Sequence, residues 1–132
     1  MSKINIQVIQ PSKIKISGEY DHIIIPGVDG DFGVSSEHTP FITKIRPGIL
    51  HLYKGTQITD FAIHDGFVTV ENNSIKIVCE TIESSTEIKT KRAESSKERA
   101  EKRLKNPTEG IDFRRAEASL KRALVRLSLT KK

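Results

Sequence analysis

The residues best suited to chemistry in this sequence are four arginines near its C-terminus. Arg92 and Arg99 stand seven apart and Arg122 and Arg126 four apart, and either spacing puts a pair on one face of a helix. A chain that reverses about Thr108 brings the two pairs within roughly two or three helical turns of each other. Guanidinium groups gathered in this way pair bidentately with a polyphosphate or with the carboxylates of an acidic protein surface. The plainer reading is a solvated face whose charge is offset by Glu94, Glu98, Glu101 and Glu117, with Glu98–Lys102 and Glu101–Lys105 at favourable i,i+4 spacing.

Other chemistry-bearing residues offer less. Gly27-Val28-Asp29-Gly30-Asp31-Phe32-Gly33 has glycines like those of a phosphate loop, but it lacks the Gly-Lys-Ser/Thr element and no helix follows it. A β-turn segment is expected there. His22, His38, His51 and His64 fall in four separate segments without metal-ligand spacing, so no metal is expected. Cys79 follows Ile77 and Val78 and reads as a packed thiol. No nucleophile elbow, functional carboxylate pair or dinucleotide fingerprint is present, and the chain is expected to carry no catalytic site of its own.

The elements that position these residues change character part-way along the chain. Ile4, Ile6 and Val8 alternate, as do Ile14 and Ile16, giving each strand one apolar face. Further apolar segments at 20–25, 41–45, 49–53, 58–63, 67–70 and 75–82 are separated by turn signals such as Pro26-Gly27, Pro47-Gly48, Lys54-Gly55 and Asn72-Asn73. The last of these predicts a tight hairpin using the tolerance of Asn for positive φ. After Ser84 the alternation stops. Ser84 and Glu87 have capping-box spacing, and Ala93, Ser96, Ala100 and Leu104 recur at helical intervals. Asn106 to Gly110 reads as a turn, and Phe113, Ala116, Leu120, Ala123 and Leu127 as the seam of a second helix. The fold class is therefore α+β: an N-terminal two-sheet β-sandwich over 1–84, then a C-terminal antiparallel two-helix hairpin over 85–132. So small and Ala-rich a seam buries only a few kcal/mol of apolar area at ~25 cal/mol per Å². The hairpin should therefore dock on something, and be able to undock.

Charge divides the same way. Residues 1–84 hold 7 Lys/Arg and 10 Asp/Glu, a balance of −3, whereas residues 85–132 hold 15 and 7, a balance of +8. Two regions with different partners are implied. No apolar run approaches the roughly 18 residues a membrane-spanning helix needs. Met1-Ser2-Lys3 leads directly into strand-like alternation, with no secretory or transit segment expected. A single cysteine forms no internal disulfide, which fits a reducing compartment. A cytosolic protein, or one held at a membrane only through partners, is expected.

Several strings in fixed order carry a resemblance. Pro26-Gly27-x-x-Gly30-x-x-Gly33-Val34 is followed by His38-Thr39-Pro40-Phe41 and by Gly66-Phe67-Val68-x-Val70. In the second part come Lys97-Glu98-Arg99-Ala100-Glu101-Lys102-Arg103-Leu104 and Ile111-Asp112-Phe113-Arg114-Arg115-Ala116-Glu117, continuing through Leu120-Lys121-Arg122-Ala123 to Arg126-Leu127. The set resembles the epsilon subunit of bacterial F-type ATP synthase over nearly the whole chain. The resemblance implies a non-catalytic rotor subunit of the central stalk, helping to couple proton flow through the c-ring to ATP synthesis. It implies a sandwich that docks on the gamma subunit and the c-ring. It also implies a hairpin that either packs on the sandwich or extends into the alpha/beta catalytic head and inhibits hydrolysis. Arg114, Arg115, Lys121, Arg122 and Arg126 would make that inhibitory contact. The implied place is the cytoplasmic face of the cell membrane, with membrane contact only through the complex.

Some members of that family bind ATP in the folded hairpin. Glu83, Arg92, Arg99, Arg122 and Arg126 match the positions concerned, but Lys89 stands where Asp is usual. A nucleoside hydrogen-bond acceptor is thereby lost, and ATP as a regulatory ligand is expected to bind weakly or differently. The string Ile111 to Ala116 fits the same pattern but lies in the other helix. Ser35-Ser36 replaces the usual Leu-Pro, and Asp65 the usual Gly. A nucleic-acid-binding role is opposed by the acidic first part, the interleaved glutamates, and Phe113 as the lone aromatic of the basic part. A stand-alone ATP sensor would need the site that Lys89 compromises.

Overall fold

A computed structural model describes residues 3–11, 13–36, 39–106 and 112–130. Eight strands come first: β1 (Ile4–Gln10), β2 (Lys13–Tyr20), β3 (His22–Gly27), β4 (Gly30–Val34), β5 (Phe41–Ile45), β6 (Gly48–Lys54), β7 (Gln57–Val70) and β8 (Ser74–Glu83). Two helices follow, α1 (Thr90–Lys105) and α2 (Phe113–Thr130). The sequence-based expectation of a sandwich followed by two helices holds.

The strands hydrogen-bond in the order β2-β1-β8-β7-β5-β3-β4, and β6 bridges β3 and β7. The network thus folds over on itself and encloses a core of Ile4, Val8, Ile23, Ile25, Leu50, Leu52, Ile63, Val68, Ile75 and Ile77, among others. These are the inward members of the alternating strands, as the period of two requires. β1 and β8 pair in parallel, the other strand pairs antiparallel.

The segments 58–63 and 67–70 are one strand rather than two. β7 pairs with β6 as far as Ile63 and with β5 from Gly66 onward, while β8 follows it on its other side. The corner lies at His64, Asp65 and Gly66. Asp65 has φ +46, the one positive φ of a non-glycine residue among those described. A Cβ on Gly66 would lie 2.1 Å from the Val78 carbonyl oxygen. A strand that changes sheets needs such a bend, and glycine permits the close approach of β8.

Gly27 to Gly33 forms the β3–β4 hairpin, with Gly27 paired to Gly30, so the β-turn reading holds. The Asn72-Asn73 turn also exists, closed by Glu71 N–H donating to Ser74 O at 2.8 Å, but neither asparagine takes a positive φ. Met1, Ser2, His38 and Pro107 to Ile111, drawn on above, lie outside the described residues.

The helix expected to start at Ser84 starts at Thr90. Ser84 and Glu87 do bond to each other, Ser84 N–H and Oγ donating to Glu87 Oε1 at 3.0 and 3.1 Å, but they close a turn instead. Ile88 explains the delay. It is buried with Ala62 and Leu129, and the chain stays extended at Lys89 (φ −90, ψ 101) to place it there. Among the described residues, the i,i+4 ion pairs are Lys97–Glu101 and Lys121–Glu117, not the Glu98–Lys102 and Glu101–Lys105 pairs expected from spacing.

Candidate functional site

α1 and α2 meet through Ala93 and Ala100 on one side and Ala116, Ala123 and Leu127 on the other, all buried. Small residues let the helix axes approach closely. Phe113, expected in this seam, is the first residue of α2 and is 52% exposed. A second apolar stripe on α2, Val125 and Leu129, packs with Ile88, Ala62 and Ile49, and this contact folds the hairpin down onto β6 and β7. The i,i+4 spacing of Val125 and Leu129 marks that stripe in the sequence, beside the seam that masks it.

Charged groups line the junction. Arg126 Nε donates to Glu83 Oε1 at 2.7 Å, and Arg122 reaches Asp65 Oδ2 at 3.5 Å and Ser119 Oγ at 3.4 Å. Beneath them lies His64, 1% exposed, with Nε2 4.0 Å from Glu83 Oε1 and no hydrogen bond to either ring nitrogen. Burial, reinforced by Arg126 and then Arg122, pushes the His64 pKa down to about 3. The connection to α1 is tied back as well: Lys15 on β2 donates to Glu87. That bond, followed by the Ser84 N–H, holds the Glu87 carboxyl down to about 2.

Between the helices and the end of β8 opens a cleft of about 320 Å³ lined by Glu83, Glu87, Lys89, Arg92, Ala93, Ser96, Arg99 and Arg126. It gathers Glu83, Arg92, Arg99 and Arg126 from the sequence-predicted ATP set. Arg122 is not among its lining residues and turns to Asp65 instead. Lys89 stands at the rim, and Arg99 bonds Ser96 Oγ at 3.2 Å. Three arginines and a lysine suit phosphate oxygens. The carboxylates suit a nucleoside less well, since Glu83 already accepts from Arg126 and Glu87 from Lys15 and Ser84. Of the residues assigned to an inhibitory contact, Arg114, Arg115 and Lys121 are exposed, whereas Arg122 and Arg126 are half-buried against the sandwich.

The remaining candidates are structural in their surroundings. His22 Nδ1 lies 2.8 Å from Ser35 Oγ, and His51 Nδ1 lies 2.6 Å from Asp60 Oδ1. Cys79 is buried, which pushes its thiol up to about 11. On the outer face of β5, β7 and β8, Ile42, Phe67 and Val78 are each more than half exposed, with Phe67 and Val78 directly opposite. The three form an exposed apolar group on one face of these strands.

Comparison with known proteins places this architecture. Residues 3–85 match the model of the ATP synthase delta/epsilon chain beta-sandwich domain, and residues 86–131 that of the delta/epsilon chain long alpha-helix domain. An ATP synthase epsilon chain of Desulforamulus reducens is 34% identical over 92% of this chain and 92% of its own length. One from Halalkalibacterium halodurans is 36% identical over 98% of both. Among solved structures, a chain from the Euglena gracilis mitochondrial ATP synthase (OSCP/F1/c-ring) has the same fold. Its TM-score is 0.86 at 20% identity, over 100% of this chain and 83% of that one. A chain from the central stalk and c-ring of the Tetrahymena thermophila mitochondrial enzyme gives a TM-score of 0.58 at 14% identity, over 98% and 95%. Sandwich and hairpin are thus matched in order and almost end to end, and the chain belongs to the family of ATP synthase delta/epsilon chains.

Proposed function

We propose that this chain is a non-catalytic epsilon subunit in the central stalk of an F-type ATP synthase, with its hairpin serving as a movable arm that inhibits ATP hydrolysis when it leaves the sandwich. The observation that carries the reading is the smallness of the docking contact. Ile88, Ala62 and Leu129, with Val125 and Ile49, form the apolar part, and Arg126–Glu83 and Arg122–Asp65 the polar part. Two packings of such an element differ by a few kcal/mol, which is what a switch requires. The exposed Ile42, Phe67 and Val78 face supplies a surface for the gamma subunit, and the c-ring and the alpha/beta head are the remaining partners. Among the described residues no helix is long and apolar enough to cross a membrane, and the proposed place is peripheral, on the cytoplasmic side through the complex. Arg114, Arg115 and Lys121, already exposed, together with Arg122 and Arg126 once freed, would meet acidic segments of the catalytic subunits.

Truncation after Glu83 in the reconstituted enzyme tests the arm. Hydrolysis should rise while gamma binding survives, and unchanged hydrolysis refutes the inhibitory role. ATP is proposed as a weak ligand of the Arg92–Arg99–Arg126 cleft, because Lys89 supplies charge for phosphate but no acceptor for the nucleoside. Calorimetry with Mg-free ATP should show no tight binding; a low-micromolar dissociation constant would refute the weakening.

A further inference from the structure

We infer that His64 makes hairpin docking sensitive to protons, so that acidification releases α2 from the sandwich. The inference rests on the movable-arm reading and adds what moves the arm. His64 sits at the corner of β7, under α2, with both ring nitrogens buried and unpartnered. A neutral imidazole in this position leaves one donor and one acceptor unsatisfied, a cost of ordinary polar burial. An imidazolium would leave two charged donors there, which is far more costly.

The surrounding charges act in the same direction. From α2 come Arg122 and Arg126, from β8 Glu83, and from β7 itself Asp65. In the docked state the two arginines use the two carboxylates, so a proton on His64 adds an uncompensated charge in a dry place. Glu83 lies 4.0 Å away, beyond hydrogen-bond distance, and it is committed to Arg126. When α2 lifts away, both arginines leave with it. His64 then meets water and two freed carboxylates, and protonation becomes favourable. Docking and the neutral imidazole are therefore linked.

The sign follows from the lowered docked-state pKa of about 3 against the ordinary 6.5. Docking is favoured in full above pH 6.5 and is lost progressively as the pH falls from there toward 3. Between pH 7.5 and 5.5 the ratio of undocked to docked chains should rise about tenfold.

Hydrogen exchange of the full-length chain, corrected for the intrinsic pH dependence of exchange, measures that ratio in the segments of β6, β7 and α2 that face each other. The wild type should show the tenfold rise with unchanged helix content by circular dichroism, and His64→Leu should show none. An equal rise in His64→Leu, or no rise in the wild type, overturns the inference. Imidazole NMR provides a second readout that does not depend on His64→Leu folding. His64 should titrate well below the ordinary histidine range in the wild type and within that range in Leu129→Glu, which undocks the arm. Ordinary titration in the wild type would also overturn it. Were Leu129→Glu to leave α2 protected, the movable arm itself would fail, a result distinct from failure of the proton sensor.

Discussion

Asp65 and Gly66 show how much a single bend decides. Asp65 holds φ +46 and points its carboxylate at Arg122, and Gly66 leaves room for the Val78 carbonyl. Gly66→Ala would drive a methyl group to 2.1 Å from that oxygen, so β7 and β8 must part. Urea unfolding should show a loss of roughly 1–3 kcal/mol or more. Asp65→Gly behaves differently. Relief of about 1 kcal/mol of backbone strain is opposed by the added freedom of the unfolded chain, roughly 0.4–1 kcal/mol, leaving global stability within about 1 kcal/mol of the wild type. What it removes is the partner of Arg122, a pair at 3.5 Å that is partly open to water. Such a pair contributes at most about 1 kcal/mol, so exchange of the α2 amides should rise by less than about fivefold.

At the scale of the elements, α2 is the component that joins two packings. Its Ala116–Ala123–Leu127 face holds α1, and its Val125–Leu129 face holds the sandwich. Shortening Leu129 should therefore separate docking from helix formation. Leu129→Ala is expected to cost roughly 2–5 kcal/mol of docking, the usual range for a buried leucine. Limited trypsin digestion would then cut the Lys- and Arg-rich helices much faster while the strands stay protected, and circular dichroism would still report helix. Loss of the strands together with the hairpin would mean that the two parts fold as one unit. The seam was visible from helical spacing, and the alternating strands from their period of two. The start of α1 was misplaced because the Ser84–Glu87 pattern has the right chemistry for a cap. The burial of Ile88 uses that chemistry for a turn.

For the whole molecule the charge split is the governing feature. The −3 of residues 1–84 and the +8 of residues 85–132 attract each other in the docked state. In the proposed inhibitory state, that +8 would face the catalytic head instead. Moving from 0.01 M to 1 M salt shortens the screening length from about 30 Å to about 3 Å, which affects exposed charges far more than half-buried ones. Inhibition through the exposed Arg114, Arg115 and Lys121 should therefore weaken with salt. In the assembled enzyme, the hydrolysis rates of full-length and truncated forms should converge as salt is raised. A gap that stays constant across that range would mean that charge does not hold the inhibitory contact.

What the sequence by itself determined is local or additive: strands from alternation, helices from spacing, a hairpin from a seam and a turn signal, and the charge of each part. The family resemblance followed from the same ordered strings. Which of two faces α2 turns to the sandwich was decided by the tertiary structure, because Val125 and Leu129 become a docking stripe only when Ala62 and Ile88 lie beneath them. The same holds for the arginines. Spacing put Arg92, Arg99, Arg122 and Arg126 on compatible faces, but the corner in β7 drew Arg122 to Asp65 and left the other three at the cleft. His64 owes its role to that corner as well. Its neighbours in sequence are Ile63 and Asp65, and the two arginines and Glu83 that act on it arrive from α2 and β8, which a one-dimensional reading does not bring together.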